Sequence, residues 1–433
     1  MAKATSSRLS GVINEAFPHK TCINLNRRPD RWHRMLLRFD QHLIHPVHRF
    51  AAFDGNTLII PPRWRHTPGA YGCLLSHVEV VRQARRLEAP SVLIFEDDVI
   101  FDEHLREKFS RCAEQVPPDW DMLFFGALHK DEPLAITDNV VRITKANSTY
   151  FYAVRNSVFD DFIELNRRAD TVLDNSNFIL QERFNCYCFT PHLAWVETDY
   201  SDAQNRLEHH WYLKESLVLF GARVDQILAQ TTVVIAHRAS SGNPSENPLF
   251  LARYYDEFFS PLIEIILVEQ GDVRAVDEAA LPSTCKHVLL RDEGPFDRQR
   301  CVQTGLGESS PDRRFVILTD SDLYLETLDI RANLLMCERH DCTTGFNAVF
   351  DLSPPDSRSL RMAHLTRGID ITKCVSRPAT ESPSYCRFFS RDALQRLVEQ
   401  RDSRPGEPET VPAVDQKVGR RIFRSPNHAL RLT

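Results

Sequence analysis

The sequence predicts an α/β protein of two tandem domains, each built on a mixed, mostly parallel sheet. Three observations carry this. The chain of 433 residues is too long for one hydrophobic core and fits roughly two or three domains of ordinary size. A short β-rich run that drives into carboxylates occurs twice, as "SVLIFEDD" (91–98) and "FVILTDSD" (315–322). Each is preceded by another strand-like run near the start of its half, with helical patterns between, and that alternation places helices over a parallel or mixed sheet.

The elements follow in order. "KTCINLNRR" (20–28) reads as the first strand and its exit turn. "SHVEVVRQARRLE" (76–88) reads as a helix, because Val78, Val81, Ala84 and Leu87 fall on one face. "SVLIFEDDVIF" is then a buried strand that ends on Glu96, Asp97 and Asp98. The charged and aromatic stretch "NRLEHHWYLKES" (205–216) precedes a new strand, "TTVVIAHR" (231–238), so the domain boundary is expected between 215 and 231, giving domains 18–225 and 226–433. The intervening "KESLVLFGARVDQILAQ" fits a closing helix or a connector. In the second half "EIILVEQGD" (264–272) and "RRFVILTDSDLYL" (313–325) are strands, and the proline-rich "EQRDSRPGEPETVPAVD" (399–415) is a surface loop, because its prolines lack the donors a helix or central strand needs. No repeat at a fixed period appears.

Composition excludes several classes. Hydrophobic content of 42 % and charged content of 26 % are those of a soluble globular protein. No stretch approaches about 18 unbroken apolar residues, and "MAKATSSRLSGVINEAF" lacks the apolar core of a secretory signal, so a cytoplasmic location without an integral membrane segment is expected, peripheral association at the inner membrane face remaining open. The net charge of -6 arises from intermixed signs, which argues against a general nucleic-acid binder. Eleven cysteines, an odd number at irregular spacings, read as reduced thiols. "CERHDC", with Cys337, His340 and Cys342, lacks a second half to complete a zinc site.

Carboxylates are poor strand formers and are seldom buried unless paired, so a positive partner is expected at both acidic sites. In an open α/β sheet the ligand crevice lies outside the carboxyl ends of the strands. Glu96 with Asp98, and Asp320 with Asp322, then offer hard oxygens to Mg2+ or Mn2+, ions that take remaining ligands from substrate phosphates. A transferase using a nucleotide-activated substrate fits. One such pair alone is equally explained by a turn or a helix cap. A phosphotransferase reading of "TDSDLYLE" ranks lower, because Tyr324 stands where Thr or Ser is usual.

The N-terminal half resembles glycosyltransferase family 25 through "CINLNRRPDRWHRM" (22–35), "RFAAFDG" (49–55), "GAYGCLLSH" (69–77) and "VLIFEDDVIF" (92–101), continuing to about residue 210. The resemblance implies a GT-A fold and transfer of a sugar from a UDP-sugar to a hydroxyl. It implies metal binding by Glu96 and Asp98 with Asp97 beside the donor, donor contacts from Asn24, Arg27 and Arg31, and a site role for Ser76 and His77. Asp170, or second to it Asp174, would face the acceptor as base. The C-terminal half is similar to family 2 GT-A enzymes through "IEIILVEQGD" (263–272), "GPFDRQRCVQTGLGES" (294–309) and "FVILTDSDLYLE" (315–326). That similarity implies metal binding by Asp320 and Asp322, donor contacts from Arg298 or Arg300, and Gln270 and Asp272 at the base. The acceptor motif usual there is replaced by "YCRFFSRDALQRL" (385–397), and Asp415 is the nearest candidate for a general base.

The expected function is a bifunctional, metal-dependent glycosyltransferase using UDP-hexose donors and a surface-glycan, lipid-linked or protein acceptor. The alternatives are one active N-terminal transferase with a degenerate C-terminal binding domain, or a non-catalytic glycan-binding scaffold.

Overall fold

Strand Ser91–Glu96 is buried at every position before Glu96, because it is paired on both sides, parallel to Lys20–Asn24 and antiparallel to Phe151–Arg155. A strand so enclosed reads as an unbroken apolar run and not as an alternating one. The computed structural model describes residues 8–147, 149–204, 206–208, 210–239, 246–346, 348–363, 375–378, 385–402, 422–424 and 428–432. The chain divides into two compact units, Met1–Gly221 and Ala222–Thr433. Both are mixed α/β.

In the first unit eight strands run in the order His48–Ala51, Lys20–Asn24, Ser91–Glu96, Phe151–Arg155, Met122–Phe124, Cys186–Phe189, Val140–Arg142 and Leu134–Ala135. Helix Pro68–Arg86 packs on this sheet with Val78, Val81 and Ala84 buried. It starts eight residues before the first residue of the expected stretch, 76–88, because Thr67 caps it by accepting from the Ala70 N–H. Leu87, expected on the apolar face, lies just past the helix and is 68 % exposed.

The second unit has a seven-stranded sheet, Cys285–Arg291, Glu264–Gly271, Thr231–His237, Phe315–Asp320, Cys386–Ser390, Cys342–Thr344 and Ile422–Arg424. Six of these strands match six of the first unit in chain order, spatial order and direction. Thr231–His237 and Glu264–Gly271 correspond to Lys20–Asn24 and His48–Ala51, and each acidic strand runs parallel to the first strand of its unit. Each acidic strand is also flanked by an antiparallel neighbour, followed by an antiparallel and then a parallel pairing.

The agreement reaches single bonds. The Glu96 N–H donates to the Tyr150 carbonyl and the Asp320 N–H to the Tyr385 carbonyl, each at 2.8 Å. The short strand after each acidic turn, Val99–Phe101 or Leu323–Tyr324, pairs antiparallel with a late strand of its own unit. Asp320 therefore stands where Glu96 stands, and Asp322 where Asp98 does.

Glu269, in the second unit, makes stability depend on pH. Its side chain and that of His287 are each 1 % exposed and meet at 2.9 Å. Burial alone would raise the Glu269 carboxyl, but hydrogen bonds from His287 and from the Ala275 and Val276 N–H groups outweigh it and hold the group below its usual value. A depressed carboxyl contributes stability that is complete above the unfolded value of about 4.3 and is lost as pH falls through the folded value. Acid should therefore loosen this unit, and Glu269→Gln should flatten the dependence of Tm on pH between about 3 and 5 while lowering Tm near neutrality. Thermal scans across pH check it.

Candidate functional site

Strand Ser91–Glu96 carries Glu96 to its carboxyl end, and the turn that follows presents Asp97 and Asp98. A pocket opens there, walled by Arg27, Phe53, Cys73, Ser76, His77 and Asp202 among others. The three acids differ in what they meet. Asp97 is turned inward and spent: its Oδ2 accepts from Asn24 Nδ2 at 2.6 Å and its Oδ1 from Arg31 Nη1 at 3.0 Å. Arg31, 5 % exposed, also lies 3.5 Å from Asp98 and 3.2 Å from Asp199, and donates to the Tyr200 carbonyl. The positive partner that the sequence demanded is this guanidinium.

All three acids line the pocket, but Glu96 and Asp98 are less engaged than Asp97, Asp98 Oδ2 taking only a long bond of 3.5 Å from Arg31. Asp98 Oδ1 is buried without a hydrogen-bond partner among the described residues, which is costly for a carboxylate. Burial first, then the neighbouring charges of Glu96 and Asp97, push its carboxyl up to about 8 against the opposing pull of Arg31. An orphaned hard oxygen beside a second carboxylate fits a divalent cation of the Mg2+ or Mn2+ type. Glu96 and Asp98 would hold it.

Ser76 and His77 position other groups. Ser76 Oγ donates to the Gly72 carbonyl at 2.7 Å and accepts the Phe53 N–H at 2.9 Å, tying loop 52–55 to the helix. His77 is fully buried, with Nδ1 2.9 Å from the Tyr152 hydroxyl and Nε2 3.3 Å from Glu96 Oε1. It aims Glu96. Arg27, unlike Arg31, is exposed, and it bridges Asp54 at 2.8 Å and Asp202 at 2.6 Å on two walls of the pocket.

Gly72 explains part of the "GAYGC" motif. A Cβ there would lie 2.3 Å from the Phe53 carbonyl oxygen. Gly→Ala inside a helix ordinarily stabilises by about 1 kcal/mol, whereas this clash with backbone should cost about 1–3 kcal/mol. Gly72→Ala is thus expected to lower Tm and to raise KM for the donor by displacing loop 52–55; thermal unfolding and donor titration check it.

Neither Asp170, which is exposed, nor Asp174 is a pocket-wall residue. Asp174 accepts from Thr149 Oγ1 at 3.1 Å, and its charge is felt at Cys73 and Tyr152, both close to Glu96 or His77. Asp54, Cys73, Tyr152, Asp199 and Asp202 were not singled out from sequence. The available signal was charge complementarity, since the acids of "TDYSDAQNR" answer the arginines of 27–34.

In the second unit Arg298 grips Asp320 with two parallel bonds, Nε to Oδ1 at 2.8 Å and Nη2 to Oδ2 at 2.7 Å, and the Tyr385 N–H adds a third at 2.9 Å. Asp320 thereby accepts three hydrogen bonds, and Arg298 spends its fork on protein instead of a phosphate. Gln270, 2 % exposed, fastens the loop before the helix by donating to the Pro295 carbonyl and accepting the Asp297 N–H. Arg300 pairs with Asp292, and Asp272 is exposed and accepts the Val273 N–H. Asp415 lies outside the described residues.

Residues 17–156 match the family model for glycosyltransferase family 25, described as LPS biosynthesis protein. The first unit contains a glycosyltransferase family 25 domain. Its relatives include procollagen galactosyltransferase 2 of Mus musculus, 30 % identical over 151 residues, and a glycosyltransferase 25 family member of Drosophila melanogaster, 30 % identical over 149, each match covering 30 % of this chain and 24 % of the relative. The chain thus spans about a quarter of the length of these relatives. Another, 30 % identical over 159 residues, is named inactive glycosyltransferase 25 family member 3 of Mus musculus, the match covering 31 % of this chain and 27 % of that protein. Among solved structures, glucosyl-3-phosphoglycerate synthase from Mycobacterium tuberculosis, in complex with Mn2+ and UDP, is 14 % identical with a TM-score of 0.30, covering 48 % of this chain and 76 % of that one. That likeness is too distant to carry argument.

Proposed function

We propose that the N-terminal unit transfers a hexose from a UDP-sugar to a hydroxyl of a glycan, lipid-linked or protein acceptor, using Mn2+ or Mg2+ at Glu96 and Asp98. The observation that carries this is the division of labour in an acidic turn that lines the pocket: Asp97 is consumed by Arg31 and Asn24, while one Asp98 oxygen beside Glu96 is unpartnered among the described residues. When bound, the cation neutralises the departing diphosphate. The chain's own residues do the rest. Arg27, which bridges Asp54 and Asp202, would exchange those bonds for phosphate oxygens, and Asp170 or Asp174 would take the proton of the acceptor hydroxyl. None of the described helices is long and apolar enough to cross a membrane, and a cytoplasmic site of action is part of the proposal.

A second reading, that the C-terminal unit is also a transferase, is favoured by its strand-for-strand match to the first and by the D-x-D at the same place. The Arg298 fork on Asp320 favours instead an accessory unit, since a cation at Asp320 would have to displace a guanidinium. Release of nucleoside diphosphate from a panel of sugar nucleotides with Mn2+, compared between wild type, Asp98→Asn and Asp320→Ala plus Asp322→Ala, separates them. Loss of a different donor's turnover in each variant supports two transferases. An effect of Asp98→Asn alone leaves one, and an effect of neither overturns the proposal.

A further inference from the structure

Three buried ligand-type side chains meet in the first unit, away from the acidic turn. His129 ends the short strand Leu128–His129, Cys188 lies in strand Cys186–Phe189, and His192 follows that strand by three residues. They are 3 %, 0 % and 4 % exposed, and one ligating atom from each lies within 4.8 Å of the other two.

Their hydrogen bonding suits a metal. His192 Nδ1 is 2.8 Å from the Leu213 carbonyl, which can only accept, so Nδ1 carries the proton and Nε2 of the neutral ring keeps its lone pair. Metal-ligating histidines are usually oriented this way, by donating the second nitrogen to a carbonyl or carboxylate. The His192 backbone N–H is held as well, by Ser216 Oγ at 2.8 Å. His129 Nδ1 is buried without a partner among the described residues, and such groups in a folded core call for an explanation.

We infer that His129, Cys188 and His192 form a three-ligand soft-metal site for Zn2+, its fourth position taken by water, distinct in chemistry and position from the hard-oxygen pair Glu96 and Asp98. Two imidazoles and a thiolate select zinc over magnesium or manganese. Zn–N bonds of about 2.0 Å and Zn–S bonds of about 2.3 Å place tetrahedral ligands about 3.3–3.5 Å apart, so atoms within 4.8 Å must close by at most about 1.5 Å. On binding, the Cys188 S–H, which now points to the Phe189 carbonyl at 3.4 Å, gives its proton to solvent and its sulfur to the metal. The ion would pin segment 189–193 to strand Leu128–His129. That segment leads directly into Glu197, Asp199 and Asp202, the carboxylates that hold Arg38, Arg31 and Arg27, so zinc would brace one wall of the pocket.

The test is metal analysis of the full chain, purified with excess Zn2+ and dialysed, together with Co2+ titration of the metal-stripped protein. The expected result is one zinc per chain and a thiolate-to-cobalt charge-transfer band. Cys188→Ser should abolish the band and weaken zinc binding at least about 100-fold, since even outer partners of metal ligands are worth 10- to 100-fold. Asp98→Asn should leave both intact. No bound zinc and no thiolate band in the wild type would overturn the site whether or not the variant folds, and zinc held equally by Cys188→Ser would place the ion elsewhere and overturn it too.

Discussion

Asp98→Asn should reduce metal-dependent release of UDP from the preferred sugar donor by at least about 10^3-fold while leaving Tm unchanged or higher. The two halves of this expectation have separate causes. Activity falls because an amide oxygen cannot replace a carboxylate as a charged ligand for a hard cation. Stability holds because Asp98 is a partly buried carboxyl, 19 % exposed, pushed up to about 8 and with one oxygen unpartnered among the described residues. A group raised in the folded state contributes most at low pH and loses that contribution as pH rises through the raised value, so removing its charge relieves the fold above neutrality. Steady-state UDP release and thermal scans on one preparation measure both. Activity within about tenfold of wild type would remove Asp98 from the site, and a large fall in Tm would make it structural.

The acidic turn was legible because an apolar run ending in carboxylates has few physical explanations. What met those carboxylates was less so. Arg31 reads from sequence as a phosphate contact, whereas in the fold it is the buried counterion of Asp97, Asp98 and Asp199. Sixty-six residues separate Arg31 from Asp97 in the chain, and no local periodicity encodes a pairing of that span. Ser76 was visible only as a motif letter; its work of joining the Gly72 carbonyl to the Phe53 N–H depends on a close approach that the glycines permit. The likeness between the units was legible as a recurring event, a β-rich run ending in acids, but not as a repeat of fixed period. Equivalent strands are joined by connections of unequal length, so no period survives in the sequence, yet the bonds at Glu96 and Asp320 are the same. Arg298 was named as a residue that approaches the donor, but its fork on Asp320 depends on tertiary placement.

Arg31→Met should destabilise the N-terminal unit by about 3–5 kcal/mol, the cost of leaving buried charge uncompensated. The side chain is 6 % exposed, and no other described cation is within ion-pairing distance of Asp97. Its acidic partners do not weigh equally. Asp199 is shared with Arg34 at 3.1 Å and is 28 % exposed, so water and a second guanidinium soften its loss. Asp98, raised to about 8, is largely protonated near neutrality and loses little when Arg31 goes. The burden falls on Asp97, buried and held otherwise by Asn24 alone among side chains. On the Arg31→Met background, Asp97→Asn should therefore recover more stability than Asp98→Asn or Asp199→Asn, as read by urea unfolding of the four proteins. Equal recovery by all three would mean that Arg31 serves the cluster as a diffuse charge. No recovery by any would mean that its packing, and not its charge, holds the turn. Either result would also recast Asp97, because a carboxylate that needs no guanidinium is free to turn toward the pocket, and the division of labour among the three acids would no longer separate scaffold from ligand.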